Sequence, residues 1–172
     1  MSLKQILQGK WLGHPLHPAL VHVPTGLWPA GLLFDVLSWT GGGSVVAVRL
    51  GMWCVGMGLF GALLAAPTGL ADWWDIKKEK PAHKLGLWHL GLNLCAVLIF
   101  AASLIVRWSA PAEVRSTPMA ALVLSAAGNA ILFVSGYLGG RMVYEHGVSV
   151  ARLSKAHWRK IAEAGKARLP AE

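Results

Sequence analysis

The sequence predicts an all-α membrane protein: a four-helix transmembrane bundle with up-down-up-down topology and both termini in the cytoplasm. Three observations support this fold class: four long apolar runs, a low content of charged residues, and basic residues concentrated on one side of the runs. Hydrophobic residues make up 55 % of the 172 residues and charged residues 14 %, whereas soluble domains average about 25 % charged. This balance favours a membrane protein over a soluble domain.

Four apolar runs are each long enough to cross a bilayer as a helix, which takes about 20 residues. They cover residues 20–39, 45–70, 85–106 and 118–138, and the last is expected to continue as helix toward Tyr144. Strands would require alternating polarity, which these runs lack. The links between them are short, so consecutive helices are expected to lie antiparallel.

The chain therefore divides into three parts. Residues 1–19 form a cytoplasmic segment rich in histidine and proline, residues 20–144 form the transmembrane domain, and residues 145–172 form a basic cytoplasmic tail. The tail from about Val150 is rich in alanine, lysine and arginine and is expected to be either an amphipathic helix on the membrane surface or a solvated extension.

Basic residues give the orientation. Thirteen of the 16 lysines and arginines fall on one side of the four runs, in the N-terminal segment, the link 72–84 and the tail, and three fall on the other. The three are Arg49, Arg107 and Arg115. The positive-inside rule places the basic side in the cytoplasm, which predicts a multi-pass protein of the bacterial inner membrane. Anionic lipid explains the positive charge more simply than nucleic acid does, so no nucleic-acid partner is expected.

Three features inside the runs predict packing details. Asp35 near the end of the first run and Arg49 near the start of the second are expected to form an ion pair across the hairpin. Gly58, Ala62 and Ala66 recur every four residues and predict a close helix–helix contact. Pro67 is expected to kink or end the second helix because it lacks a backbone donor.

Histidines on the cytoplasmic side are the best indication of function. Imidazole in or beside a membrane is costly unless it is hydrated, hydrogen-bonded or bound to a metal. Six of the seven histidines fall on this side: His14, His17, His22, His83, His89 and His146. Asp72, Asn93 and Tyr144 are predicted at the same level. Because every helix delivers a polar group to this level, we expect several of these side chains to share one pocket.

The leading hypothesis is a b-type haem protein or a redox-complex subunit that works in electron transfer, because a helical bundle can hold haem with histidine as axial ligand. His89 and His146 are the expected axial ligands because they belong to separate helices. His14 and His17 are expected to bind a propionate or a second metal. The predicted cofactor contacts are His14, His17, His89, Asn93, Tyr144 and His146.

Two alternatives remain open. A zinc, iron or copper ion would accept mixed nitrogen and oxygen ligands, and the candidates are His14, His17, Asp72, His89 and His146. The second alternative is a cofactor-free accessory subunit of a larger membrane complex. Enzymatic activity is left open, although the sequence has no nucleophile elbow, phosphate-binding glycine loop or HExxH motif.

The chain also resembles a known bacterial family, family twenty-two thirty-one of the domains of unknown function. The resemblance covers about residues 13–150 and is carried by four stretches: 13–18 (GHPLHP) with Pro24, 69–73, 89–93 (HLGLN) and 139–147 (GGRMVYEHG). Some relatives join a similar domain to a Rieske iron–sulfur domain. The resemblance therefore implies a place near membrane electron transfer, with a Rieske or cytochrome protein as redox partner.

Overall fold

The computed structural model describes residues 1–40, 42–150, 160 and 162–165, and all regular secondary structure in this part of the chain is helical. A short helix α1 precedes a 3₁₀ turn at Lys10–Leu12, and five further helices follow. Their bounds are α1 Leu3–Leu7, α2 Leu16–Leu20, α3 His22–Leu37, α4 Val45–Trp73, α5 Pro81–Trp108 and α6 Met119–Tyr144.

Four helical segments are long and apolar enough to cross a membrane, as predicted. The first spans Leu16–Leu37 and combines α2 and α3, so it begins four residues earlier than expected. Pro15 is the N-cap of α2 in an extended conformation, which suits a residue that fixes its own φ at a helix start. The GHPLHP stretch therefore forms the first turn of the first span.

Pro67 was expected to kink or end the second helix, and of these two outcomes the ending is wrong. The helix continues through Pro67 to Trp73. A proline removes a single backbone donor, and the turns on both sides of Pro67 are held in place because Ala65, Thr68 and Ala71 are buried.

The bundle is built from two helical hairpins. The first hairpin is the first span, α2 with α3, packed on α4, and the second is α5 with α6. The contacts of α3 with α4 and of α5 with α6 are more extensive than those between helices of different hairpins. Trp28 of the first hairpin stacks on Phe100 of the second with ring centres 4.0 Å apart, and both rings are fully buried. Around this stack the hydrophobic core holds Val55, Leu59, Ala96 and Leu132.

The predicted ion pair between Asp35 and Arg49 is wrong, because Arg49 is exposed. The partner of Asp35 is Arg107, whose two terminal nitrogens donate to the two carboxylate oxygens at 2.6 and 2.5 Å. Ser125 accepts from the same guanidinium and Thr117 donates to the same carboxylate. This buried pair joins the two hairpins at the end of the bundle away from the histidines.

The packing stripe of α4 differs from the one predicted. Gly58 lies in it, and a Cβ there would come within 2.4 Å of the Trp28 indole. Ala66, however, is exposed. Buried positions of α4 follow a mixed spacing of three and four residues: Gly51, Val55, Gly58, Gly61, Ala65 and Thr68. A strict four-residue step leaves this stripe because the helix turns every 3.6 residues.

The N-terminal arm is fastened to the link after α4. Ser2 and Gln5 form a capping box that starts α1. Lys4 pairs with Asp75, and the Gln8 amide donates to Asp75 and to the Ala71 carbonyl. The hydrogen bond from Lys4 is the main reason that the pKa of the Asp75 carboxyl is lowered from its usual value. His157 and most of the predicted amphipathic tail lie outside the described residues.

Candidate functional site

His17 is held against α4 by its own ring nitrogen. Its Nδ1 lies 3.0 Å from the carbonyl oxygen of Ala65 and 3.4 Å from the Thr68 hydroxyl. A carbonyl oxygen only accepts hydrogen bonds, so Nδ1 carries the hydrogen and donates it. In the neutral ring the lone pair is then on Nε2.

His89 is held against α6 in the same way. Its Nδ1 lies 2.8 Å from the Ser135 carbonyl oxygen and 3.0 Å from the Ser135 hydroxyl. The Asn93 amide nitrogen is 3.0 Å from Nε2 and also donates to the His89 carbonyl. The carbonyl again assigns the hydrogen to Nδ1, and Asn93 donates to the Nε2 lone pair.

The two imidazoles meet where the hairpins face each other. Their ring centres are 6.4 Å apart and their planes are nearly perpendicular, at 89°. His17 is anchored to α4 of the first hairpin, and His89 connects α5 and α6 of the second. The structure therefore brings together two of the six predicted histidines, with one ring from each hairpin.

Two glycines make room for these rings. A Cβ at Gly69 would lie 2.6 Å from the His17 ring, and a Cβ at Gly139 would lie 3.0 Å from the His89 ring. A distance under 3.0 Å forces something to shift, so the His17 ring requires glycine at position 69. The motif pieces 13–18, 69–73, 89–93 and 139–147 are distant in sequence, yet the rings and glycines that they supply pack against one another.

Other predicted site residues lie elsewhere. His14 is exposed, with its Nδ1 3.0 Å from the Pro15 carbonyl oxygen, and His22 is exposed as well. Tyr144 is 90 % exposed at the end of α6. His83 is half-buried, and its ring packs on Trp73 with centres 4.5 Å apart.

His146 and Asp72 line an open cleft of about 700 Å³ at the end of the bundle. Ala82 lines the same cleft, and His89 is seven residues further along α5, which is about 10 Å of helix. Neither His17 nor His89 lines this cleft. Among the residues that the structure describes, no three histidine, cysteine, aspartate or glutamate side chains are grouped so that they could hold a metal ion.

Ser135, Thr68 and Ala65 complete the site and were missed by the sequence analysis. Ala65 supplies a backbone carbonyl, which leaves no trace in a side-chain pattern. Ser135 precedes Gly139 by four residues, so both lie on one face of α6. That spacing was the available signal, since a hydroxyl one helical turn from a glycine in an apolar run is a candidate hydrogen-bond partner.

The fold and this site define a four-span helical membrane protein with a half-buried histidine pair between its hairpins. Residues 13–152 match the family described as predicted membrane protein (DUF2231), and the chain belongs to that family. Searches among curated proteins and among solved structures found no match.

Proposed function

We propose that this protein is a b-type haem protein of the membrane that works in electron transfer, alone or as a subunit of a larger redox complex. The observation that carries the proposal is the histidine pair: two imidazoles from different hairpins, each with Nδ1 hydrogen-bonded to a backbone carbonyl. Metal-binding histidines almost always donate their second ring N–H in this way, which fixes the ring and makes the ligating nitrogen more basic.

The separation of the rings supports this proposal. The ring centres are 6.4 Å apart, so both imidazoles could be ligands of a single metal ion. The interface between the hairpins is less extensive than the contacts within them, and a cofactor held by both histidines would lie in that interface.

The composition of the site favours haem over a bare ion. Structural zinc sites take four protein ligands and catalytic ones three, and the described residues hold no such group of three. Haem brings four equatorial nitrogens of its own and needs only one or two protein ligands. We therefore assign the axial roles to His17 and His89, with His17 in place of His146, and assign Ser135 to positioning of His89. Asn93 donates to Nε2 of His89 in this structure, so it would have to release that nitrogen for His89 to bind iron.

The test is an absorption spectrum of the detergent-purified protein, oxidised and then reduced with dithionite. We expect a Soret band that is lost in His17→Ala and in His89→Ala. The matched controls are His14→Ala and His22→Ala, which remove exposed imidazoles and should leave the band unchanged. A protein that stays colourless after expression with added haem precursor would overturn the proposal.

A cofactor-free role in a larger complex is the second candidate, and one observation favours it. Both rings already have hydrogen-bond partners, including the Asn93 amide on Nε2 of His89. In that case the purified protein would be colourless and free of zinc, iron and copper by elemental analysis. His17→Ala would then lower thermal stability without any spectral change. A colourless protein with one bound metal would instead indicate a non-haem centre.

A further inference from the structure

The cleft at the histidine-bearing end of the bundle lies outside the histidine pair and contains charges of both signs. It opens between the end of α4, the start of α5 and the segment after α6, and the N-terminal arm forms one wall. The polar residues relevant here are Gln8, Asp72, Asp75, Lys77, Lys80 and Glu145. Its volume of about 700 Å³ lies within the usual range for small-ligand sites.

The position of the cleft along the bundle matches the headgroup layer of a bilayer. It begins where the candidate spans stop, at Trp73, Pro81 and Tyr144. Trp74 is 71 % exposed and Tyr144 is 90 % exposed at this level, as expected for aromatic residues that mark the membrane–water boundary. A lipid headgroup is therefore the molecule that this cleft meets at the highest concentration.

The basic side of the cleft consists of two lysines. Lys77 and Lys80 are exposed and line the cleft. The ion pairs in the described residues involve Lys4, Arg107 and Arg141, so neither cleft lysine has a carboxylate within pairing distance. Two ammonium groups at the headgroup level provide donors for a phosphate.

The acidic side of the cleft contains one carboxylate without a basic partner and one unused acceptor. Asp75 pairs with Lys4 and Glu145 pairs with Arg141, whereas Asp72 is half-buried and its hydrogen bond comes from Ser149. The Oε1 atom of Gln8 is buried and has no hydrogen-bond partner in the described structure. Because that oxygen is enclosed, Asp72 is the acceptor that this wall offers to a ligand with N–H groups.

We propose that this cleft binds the headgroup of an aminophospholipid of the phosphatidylethanolamine class. Lys77 and Lys80 hold the phosphate, and Asp72 accepts from the primary ammonium. The choline headgroup carries the same charges but has no N–H to donate. A glycerol headgroup has no cation to place beside Asp72. The chemistry of both walls therefore selects the ethanolamine headgroup.

The test measures lipid binding to the full-length protein in detergent by native mass spectrometry, with matched acyl chains on phosphatidylethanolamine, phosphatidylcholine and phosphatidylglycerol. We expect phosphatidylethanolamine to bind best. Its affinity should fall by at least about tenfold in Lys77→Gln/Lys80→Gln, because two charge-assisted hydrogen bonds are lost. The matched control is Lys78→Gln/Lys84→Gln, which removes the same charge from exposed lysines outside the cleft lining and should change affinity less than about twofold.

The acidic wall has its own variant. Asp72→Asn should weaken phosphatidylethanolamine binding and leave phosphatidylglycerol binding unchanged or stronger, since only the ammonium contact is removed. Equal binding of the choline and ethanolamine lipids would overturn the proposal. So would an equal loss in the two lysine double variants, because it would indicate attraction to basic residues in general. Circular dichroism of each variant verifies that the helices are intact.

Discussion

At the residue scale, the histidine pair depends on groups that are not themselves candidate ligands. The His17 ring is held by the Ala65 carbonyl and packs on Gly69, and the His89 ring is held by the Ser135 carbonyl and packs on Gly139. A freely rotating imidazole would lose entropy on binding a cofactor, and the carbonyl contacts remove that cost in advance. The two glycines, Gly69 and Gly139, are therefore as necessary to the geometry as the histidines.

Gly139→Ala is expected to disturb the site, because a Cβ there would lie 3.0 Å from the His89 ring. Overpacking a tight contact costs about 1–3 kcal/mol, so we expect a lower midpoint of thermal unfolding in detergent and, if haem is bound, a shifted Soret band. The control is Gly136→Ala on the same helix, where a Cβ would meet nothing within 4 Å. Equal effects of the two substitutions would show that the His89 contact is not the cause.

At the scale of elements, the two hairpins are joined by a buried ion pair at one end and by aromatic stacking in the middle, and one imidazole from each meets the other near the opposite end. Asp35 and Arg107 close one end, and His17 and His89 meet near the other. Arg107 and His89 are 18 residues apart on α5, which corresponds to about 27 Å of helix. The hairpins thus meet through polar side chains at two distant levels of the membrane domain.

Arg107→Met is expected to destabilise the bundle by about 3–5 kcal/mol, since it leaves the buried Asp35 carboxylate without its cation. The double variant Asp35→Leu/Arg107→Met should recover part of this loss, because no charge then remains unpaired. Thermal unfolding in detergent measures both effects. Arg49→Met serves as the control, since Arg49 is exposed and its removal should change stability by less than about 0.5 kcal/mol. A loss in Arg49→Met as large as that in Arg107→Met would contradict this assignment.

At the scale of the whole molecule, the sequence predicts that four spans leave both termini on one side of the membrane. The excess of lysine and arginine on that side predicts the cytoplasm. A green fluorescent protein fused to either terminus should fluoresce, and alkaline phosphatase fused at the link between α3 and α4 should be active. If alkaline phosphatase fused in the Lys-rich link between α4 and α5 were active, the predicted orientation would be wrong. The proposed lipid cleft would then lie at the outer leaflet.

The sequence by itself determined the membrane class, the number of spans and the starting position of each span to within four residues. The reason is that a bilayer accepts only long apolar segments with internally satisfied backbones, and such segments are visible as continuous runs. The sequence also predicted histidines, rather than a nucleophile or a phosphate loop, as the functional residues. His17 and His89 were among the residues singled out.

Only the tertiary structure decided which of these residues meet. Asp35 pairs with Arg107 rather than Arg49, and His17 faces His89 while His146 lines a different cleft. These contacts join residues that are 72 positions apart in both cases, across helices whose rotation about their own axes is set by packing. The hydrophobic run predicts the length of each helix. When every face of the helix is apolar, the run does not predict how the helix is rotated about its own axis, and this rotation determines which side chains face the interior of the bundle.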